Sequence, residues 1–214
     1  MDIMLNDIEA RVLGCLIEKS MTTPDYYPLS LVSLTTACNQ KSSRNPVMSL
    51  EETTVVRALD SLKSKRLVVQ GESGRVPKYS EIFVHANNFV ARESSLLMVM
   101  LLRGPQTVGE LRTRTERAYS FESVEEVEQT LADLIEGDWV VKLPRLPGRK
   151  EPRYMHLLMG EPEAEAYSPS PEPARLEVKV ENEKVEALVG EIERLREEIS
   201  QLKSDFEQFK SQFE

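Results

Sequence analysis

The chain has 214 residues, 40% hydrophobic and 29% charged, with a formal net charge of -9. That length allows one large or two small domains. No apolar run approaches the roughly 20 residues that span a bilayer, and Met1-Asp2-Ile3-Met4 lacks the basic-then-apolar order of a secretory signal, so a cytoplasmic protein is expected.

The first helix is expected from Asp7 as its cap, with Glu9 favouring the helix dipole and Ile8, Val12, Cys15, Leu16 and Ile17 facing inward. Residues 22–28 read as turn material. Ser30 caps a second helix carrying Leu31, Leu34 and Ala37. After a polar connection, Ser49 and Glu52 have the spacing of a capping box for a third helix lined by Val55, Val56, Leu59 and Leu62. Leu67 to Gln70 and Lys78 to Val84 read as two strands of a ribbon.

The same order then recurs. A helix around Leu96 to Arg103 stops at Gly104-Pro105. Thr107 caps the next helix, and Ser123 with Glu126 starts a third, which Gly137 ends. Residues 138–143 and 153–158 form the second ribbon. Val55, Leu59 and Leu62 match Val127, Leu131 and Leu134, and Pro77-Lys78-Tyr79 matches Pro152-Arg153-Tyr154. A duplication of this kind fixes element boundaries twice. The expected fold is mainly α with small β-ribbons (α+β): winged helices at 1–88 and 89–160, a disordered Pro/Glu-rich linker at 161–173, and a coiled-coil helix at 174–214. Each copy is near the lower size limit for a self-sufficient core, which favours a shared interface.

The tail carries an unbroken 3,4 spacing through Val185, Leu188, Ile192, Leu195, Ile199, Leu202, Phe206, Phe209 and Phe213. Branched residues at a with leucine at d, and the opposite-charge pairs Glu191–Arg196, Glu198–Lys203 and Asp205–Lys210, favour a parallel two-stranded homodimer. The alternative is a helix folded back on its own body.

Charge is unevenly divided. Residues 161–214 hold seven basic and fifteen acidic side chains, whereas 1–88 hold ten of each and 89–160 ten and eleven. The nearly neutral body neither excludes nor demands a polyanionic partner. The chemistry of catalysis is missing: His85 and His156 lack neighbours at metal-ligand spacing, there is no phosphate-binding glycine loop, and Cys15 and Cys38 read as small buried apolar residues. Neither an enzyme nor a cofactor is expected.

Winged helices place the third helix in the major groove and the ribbon loop on the backbone. Candidate nucleic-acid contacts are Lys41, Ser42 and Arg44 in the polar connection, Arg57 and Lys63 on the third helix, Arg75 and Lys78 on the first ribbon, and Arg145, Arg149, Lys150 and Arg153 on the second. The helix at 123–136 carries Glu125, Glu126, Glu128, Asp133 and Glu136 and no basic residue. It is expected to stay out of DNA and to be solvated or to dock a protein.

Thr23-Pro24-Asp25-Tyr26-Tyr27-Pro28-Leu29-Ser30-Leu31 and Ala37-Cys38-Asn39-Gln40-Lys41-Ser42-Ser43-Arg44-Asn45-Pro46-Val47-Met48 resemble the signature of the YceH family, a bacterial group of tandem winged-helix proteins, over roughly residues 5–160. The resemblance implies the fold and a bacterial cytosolic origin, and no established activity. The expected function is a dimeric, regulator-like protein that binds double-stranded DNA. The alternative is a protein-interaction adaptor, similar to the chromosome-segregation protein ScpB in fold only. An RNA-associated factor is a third option.

Overall fold

Helix α1 (Asp7–Thr22) runs through the middle of the core in the computed structural model, which describes residues 3–71, 76–145 and 151–161. It is capped by Asn6, one residue before the expected Asp7. Asn6 Oδ1 accepts from the Ile8 and Glu9 amides at 3.0 and 2.9 Å, and Glu9 Oε2 accepts from the Asn6 amide at 2.9 Å. A carboxylate three residues after an Asn completes a capping box, which Asp7 has no partner to form. Residues 9–17 of α1 are all buried, so the expected one-sided stripe is instead a helix enclosed on every face.

Helix α2 (Leu31–Cys38) is capped by Ser30, whose hydroxyl accepts from the Ser33 amide at 3.2 Å. Helix α3 (Glu52–Ser64) begins later than the capping-box spacing suggests, and Ser49 lies outside it. The reason is a clamp two residues upstream of the helix. The Asn39 side chain accepts from the Leu50 amide at 2.7 Å and donates to the Leu50 carbonyl at 2.8 Å, committing both groups that a helix would use. Val55, Ala58, Leu59 and Leu62 face inward, and Val56 is only half-buried.

Three short strands close the first copy as an antiparallel sheet: β1 (Leu29–Ser30), β2 (Val68–Gly71) and β3 (Lys78–Glu81), in the order β1-β3-β2. The sequence pattern misses β1, because two residues gain strand character only by pairing with β3, Leu29 opposite Tyr79. The expected returning strand to Val84 stops at Glu81. The Glu81 carboxylate accepts from the Val84 amide at 2.9 Å, and a one-turn helix, α4 (Phe83–Ala86), buries Phe83. Phe83 and Phe89 then pack on Trp139 of the second copy, with ring centroids 5.6 and 4.8 Å away.

The second copy follows the same order with α5 (Ala91–Arg103), α6 (Val108–Thr115), α7 (Val124–Glu136), β4 (Val140–Lys142) and β5 (Tyr154–His156). Gly104 ends α5 at φ +71°, a conformation that disfavours side chains. Thr107 with Glu110 forms a complete capping box. Ser123 caps α7, but Glu126 does not reach back to it; its carboxylate accepts from the Tyr119 hydroxyl at 2.7 Å and the Glu122 amide at 2.9 Å.

The two copies pack through their first helices. Residues 94–102 of α5 are all buried, like the middle of α1. A Cβ on Gly14 would lie 3.0 Å from both Leu101 Cβ and Leu102 Cδ2, so the lack of a side chain there sets how closely α1 approaches α5. Two backbone bonds tie the copies further, Leu5 N–H to the Leu158 carbonyl at 2.7 Å and Asn45 N–H to the Leu102 carbonyl at 3.0 Å. The result is mixed α+β, seven α-helices and two small antiparallel sheets among the described residues. No described helix is long and apolar enough to cross a membrane. The expected coiled coil lies outside the described residues, as does the linker beyond residue 161.

Candidate nucleic-acid interface

The polar connection between α2 and α3 is largely turned inward. Arg44 was expected at a phosphate, yet its side chain is fully buried. It donates to both carboxylate oxygens of Glu18 at 3.0 and 2.6 Å, to the Ala37 carbonyl at 3.0 and 3.2 Å, and to Gln40 Oε1 at 2.9 Å. These bonds satisfy the α2 C-terminus, which has no partner of its own. Burial raises the Glu18 pKa, but the bonds and charge of Arg44, with Lys19 beside them, outweigh it and hold the carboxyl below its ordinary range. Arg11, also buried, donates to the Cys38 and Pro46 carbonyls at 3.1 and 2.6 Å and pins the other side of the same connection. Lys41 and Ser42 remain exposed at its tip.

On α3, Arg57 is exposed on the side opposite the buried leucines. Lys63 pairs with Asp60 at 2.8 Å and contacts Gln70 Oε1 at 3.4 Å. Lys65 is committed to Glu9 at 2.5 Å and to the Met4 carbonyl at 2.7 Å. Lys78 is half-buried on β3. In the second copy Arg145 is exposed, whereas Arg153 is not the free wing cation expected. It donates to both Glu110 oxygens at 2.8 and 3.2 Å and to the Pro105 carbonyl at 2.8 Å, locking β5 to the start of α6. Both arginines are taken inward for one reason: each sits within reach of a carboxylate and an open backbone carbonyl that burial leaves without water. Arg75, Arg149 and Lys150 lie outside the described residues.

The structure also gathers a basic cluster that sequence reading misses. Lys19 of α1, Arg103 of α5, Arg114 in the last turn of α6 and Arg117 in the turn that follows it line one cleft of about 120 Å³, together with Ser42 and Glu18. Arg114 is bonded to Gln106 and lies 3.8 Å from Glu110. Each cation is harmless-looking in its own segment, a basic residue near a helix C-terminus where it complements the dipole. Only the packing of α1 on α5 brings those helix ends together.

Helix α7 turns Glu125, Glu128 and Glu136 to solvent while burying Val127, Leu131 and Leu134. Cys15 and Cys38 are free and buried, as expected, and the hydrogen bond between them together with burial pushes the Cys38 thiol up. Burial alone takes the His156 imidazole down to about 4. No cluster of three or more metal-ligating His, Cys, Asp or Glu occurs among the described residues.

Residues 5–149 match the family described as protein of unknown function, DUF480. The UPF0502 protein GSU0233 of Geobacter sulfurreducens is 56% identical over 197 residues, 90% of each chain. A UPF0502 protein of Geotalea uraniireducens is 53% identical over the same share, and UPF0502 protein PBPRB0676 of Photobacterium profundum is 51% identical over 78% of this chain and 79% of its own. The chain belongs to the UPF0502 family. That family includes YceH, the group its signature residues resemble. In this UPF0502 chain the signature stretch is structural as much as it is polar: Asn39 sets the start of α3, Arg44 closes α2, and Asn45 binds α5.

Proposed function

We propose that this UPF0502 chain is a non-enzymatic tandem winged-helix protein, cytoplasmic and dimeric through its C-terminal heptads, that binds duplex DNA with the third helix of its first copy and the ribbon loops of both copies. One observation carries the reading. Helix α3 buries its apolar face and turns Arg57 to solvent, and exposed Lys41 and Ser42 precede it on the connection from α2. A third helix so presented suits a major groove, and exposed cations beside it suit phosphates. Loss of Arg44 and Arg153 to internal pairs leaves Lys41, Ser42, Arg57, Lys63, Arg75, Lys78, Arg145, Arg149 and Lys150 for the surface, and favours modest, salt-sensitive affinity.

The outward carboxylates of α7 favour a second reading, in which the second copy docks a basic protein surface and the chain acts as an adaptor. Fluorescence anisotropy of the full chain on random duplex DNA at several salt concentrations separates the two. DNA binding gives a log–log slope that flattens by about one unit for each phosphate contact removed in Lys41→Ala and Arg57→Ala. Glu125→Gln with Glu128→Gln leaves that slope unchanged. Absence of binding at low salt overturns the DNA reading and leaves the adaptor. Light scattering tests the dimer: Leu188→Asp with Leu195→Asp converts it to a monomer, and a wild-type monomer refutes it.

A further inference from the structure

The basic cleft lies where the two copies meet, with Lys19 and Ser42 from the first and Arg103, Arg114 and Arg117 from the second. Among the described residues that line it, Glu18 is the sole carboxylate, and both of its oxygens are already held by the buried Arg44, at 3.0 and 2.6 Å. Lys19 stands farther off, 3.4 Å from Glu18, whereas a charge-assisted bond is about 2.7–2.9 Å. Glu116, beside Arg117 in sequence, accepts from the Ser120 hydroxyl at 2.8 Å and does not line the cleft. The helix ends absorb part of the positive charge. Helices α1, α5 and α6 each bring a last turn to the cleft, and each C-terminus carries roughly half a negative charge. Three such ends offset roughly one and a half charges, fewer than the cations of the cleft supply. Buried Met98, Val99 and Leu102 form an apolar wall, beside which the remaining charge acts more strongly than in open water.

We propose that this cleft binds a phosphate group. A guanidinium meets phosphate oxygens through two parallel N–H bonds, and an ammonium adds a compact charge. A tetrahedral dianion takes donors from several directions, which suits cations arriving from three helices and the exposed Ser42 hydroxyl on a fourth side. A flat carboxylate, with one charge and two oxygens, uses fewer of them. The size limits what enters. A cavity of about 150 Å³ holds a benzene ring, so the cleft, at about 120 Å³, has room for one phosphate while the rest of its carrier stays outside. That carrier is a small phosphorylated molecule or the backbone of DNA. The cleft shares only Ser42 with the surface proposed for duplex DNA, so phosphate binding here does not depend on that surface.

The test is a titration of the full, isotope-labelled chain with inorganic phosphate, read from its amide resonances by nuclear magnetic resonance. The Ser42, Arg103 and Ala118 signals shift saturably with a dissociation constant of about 1 mM or tighter. Acetate at the same ionic strength binds about tenfold more weakly or worse. Arg117→Ala and Lys19→Gln, each verified as folded by circular dichroism, weaken phosphate about tenfold, and Arg57→Ala on α3 leaves it unchanged. Anisotropy on duplex DNA then identifies the carrier. A DNA phosphate in the cleft makes Arg117→Ala weaken duplex binding as well, whereas a small phosphorylated molecule leaves duplex binding as in wild type. A chain that takes phosphate and binds no DNA keeps the cleft and loses only the DNA reading. Absence of saturable shifts overturns the site, as does wild-type affinity in both folded cleft variants. Acetate binding as tightly as phosphate overturns the phosphate.

Discussion

The two copies share an order of elements and differ in what their matching positions do. Lys78 and Arg153 occupy equivalent places on the returning strands, but only Arg153 is bound inward by a carboxylate. Glu81 and His156 also correspond, lying opposite Val68 and Val140. Burial pushes both toward neutrality, raising Glu81 and lowering His156. The third helices diverge most: α3 mixes charges and starts at a side-chain clamp, whereas α7 is acidic and starts at a serine cap. The apolar spacing that builds the shared skeleton leaves the polar positions free, and each copy has used them for a different local need.

The largest effect separates two arginine–glutamate pairs of different depth. Arg44→Met leaves the largely buried Glu18 with only the more distant Lys19, 3.4 Å away, and costs about 3 kcal/mol in urea denaturation. Arg153→Met breaks the pair with Glu110, whose side chains are 18% and 29% exposed, and water offsets most of the loss. Equal losses would show that the two connections are equally dependent on their arginines.

His156 and Glu81 sharpen the comparison through opposite pH signs. The folded pKa of His156, about 4, lies below its ordinary 6.5. Its stabilising contribution is complete above 6.5 and is lost as pH falls toward 4, up to about 3 kcal/mol. His156→Leu removes that part of the acid-side decline in melting temperature. Glu81 has a raised folded pKa, so its contribution is present at low pH and lost as pH rises through that value. Glu81→Gln, which keeps an acceptor for the Val84 amide, therefore gains stability at pH 7 relative to pH 4. A melting curve series with the same pH slope in both variants as in wild type would refute the shared-position argument.

Gly14→Val tests whether the copies stand or fall together. It wedges α1 from α5 and costs about 1–3 kcal/mol, and because the interface is common, Trp139 fluorescence in the second copy should report the same transition midpoint as far-ultraviolet circular dichroism. Two separate transitions would mean that the copies unfold independently. The smallest effects are at the starts of the third helices. Asn39→Ala and Ser123→Ala each cost about 1 kcal/mol, but Asn39→Ala also frees Leu50, so amide exchange rises upstream of α3 and not upstream of α7.

Much of the fold was legible in the residues themselves. The duplicated leucine and valine spacing placed the three main helices of each copy, though not the one-turn α4, and Ser30, Thr107 and Ser123 cap where their neighbours say they should. Misreadings fall where a partner distant in the chain competes with a local rule. Asp7 gave way to Asn6 on local grounds that a closer reading of the Glu9 spacing shows, but Ser49 lost its helix to Asn39, ten residues away, and β1 exists only against β3. The candidate site was less legible still. A cation in a sequence carries no sign of whether it will meet solvent or a buried carboxylate, and Arg44 and Arg153 met carboxylates.

Taken alone, the sequence determined the repeat, the α+β class and the family, because hydrophobic periodicity and turn chemistry act over a few residues and survive in any surroundings. The tertiary structure decided that α1 and α5 lie together, which cations stay free, and that a basic cleft forms where the copies meet. Those outcomes depend on distances between residues up to about 150 positions apart, and burial and electrostatics act only once packing has set them.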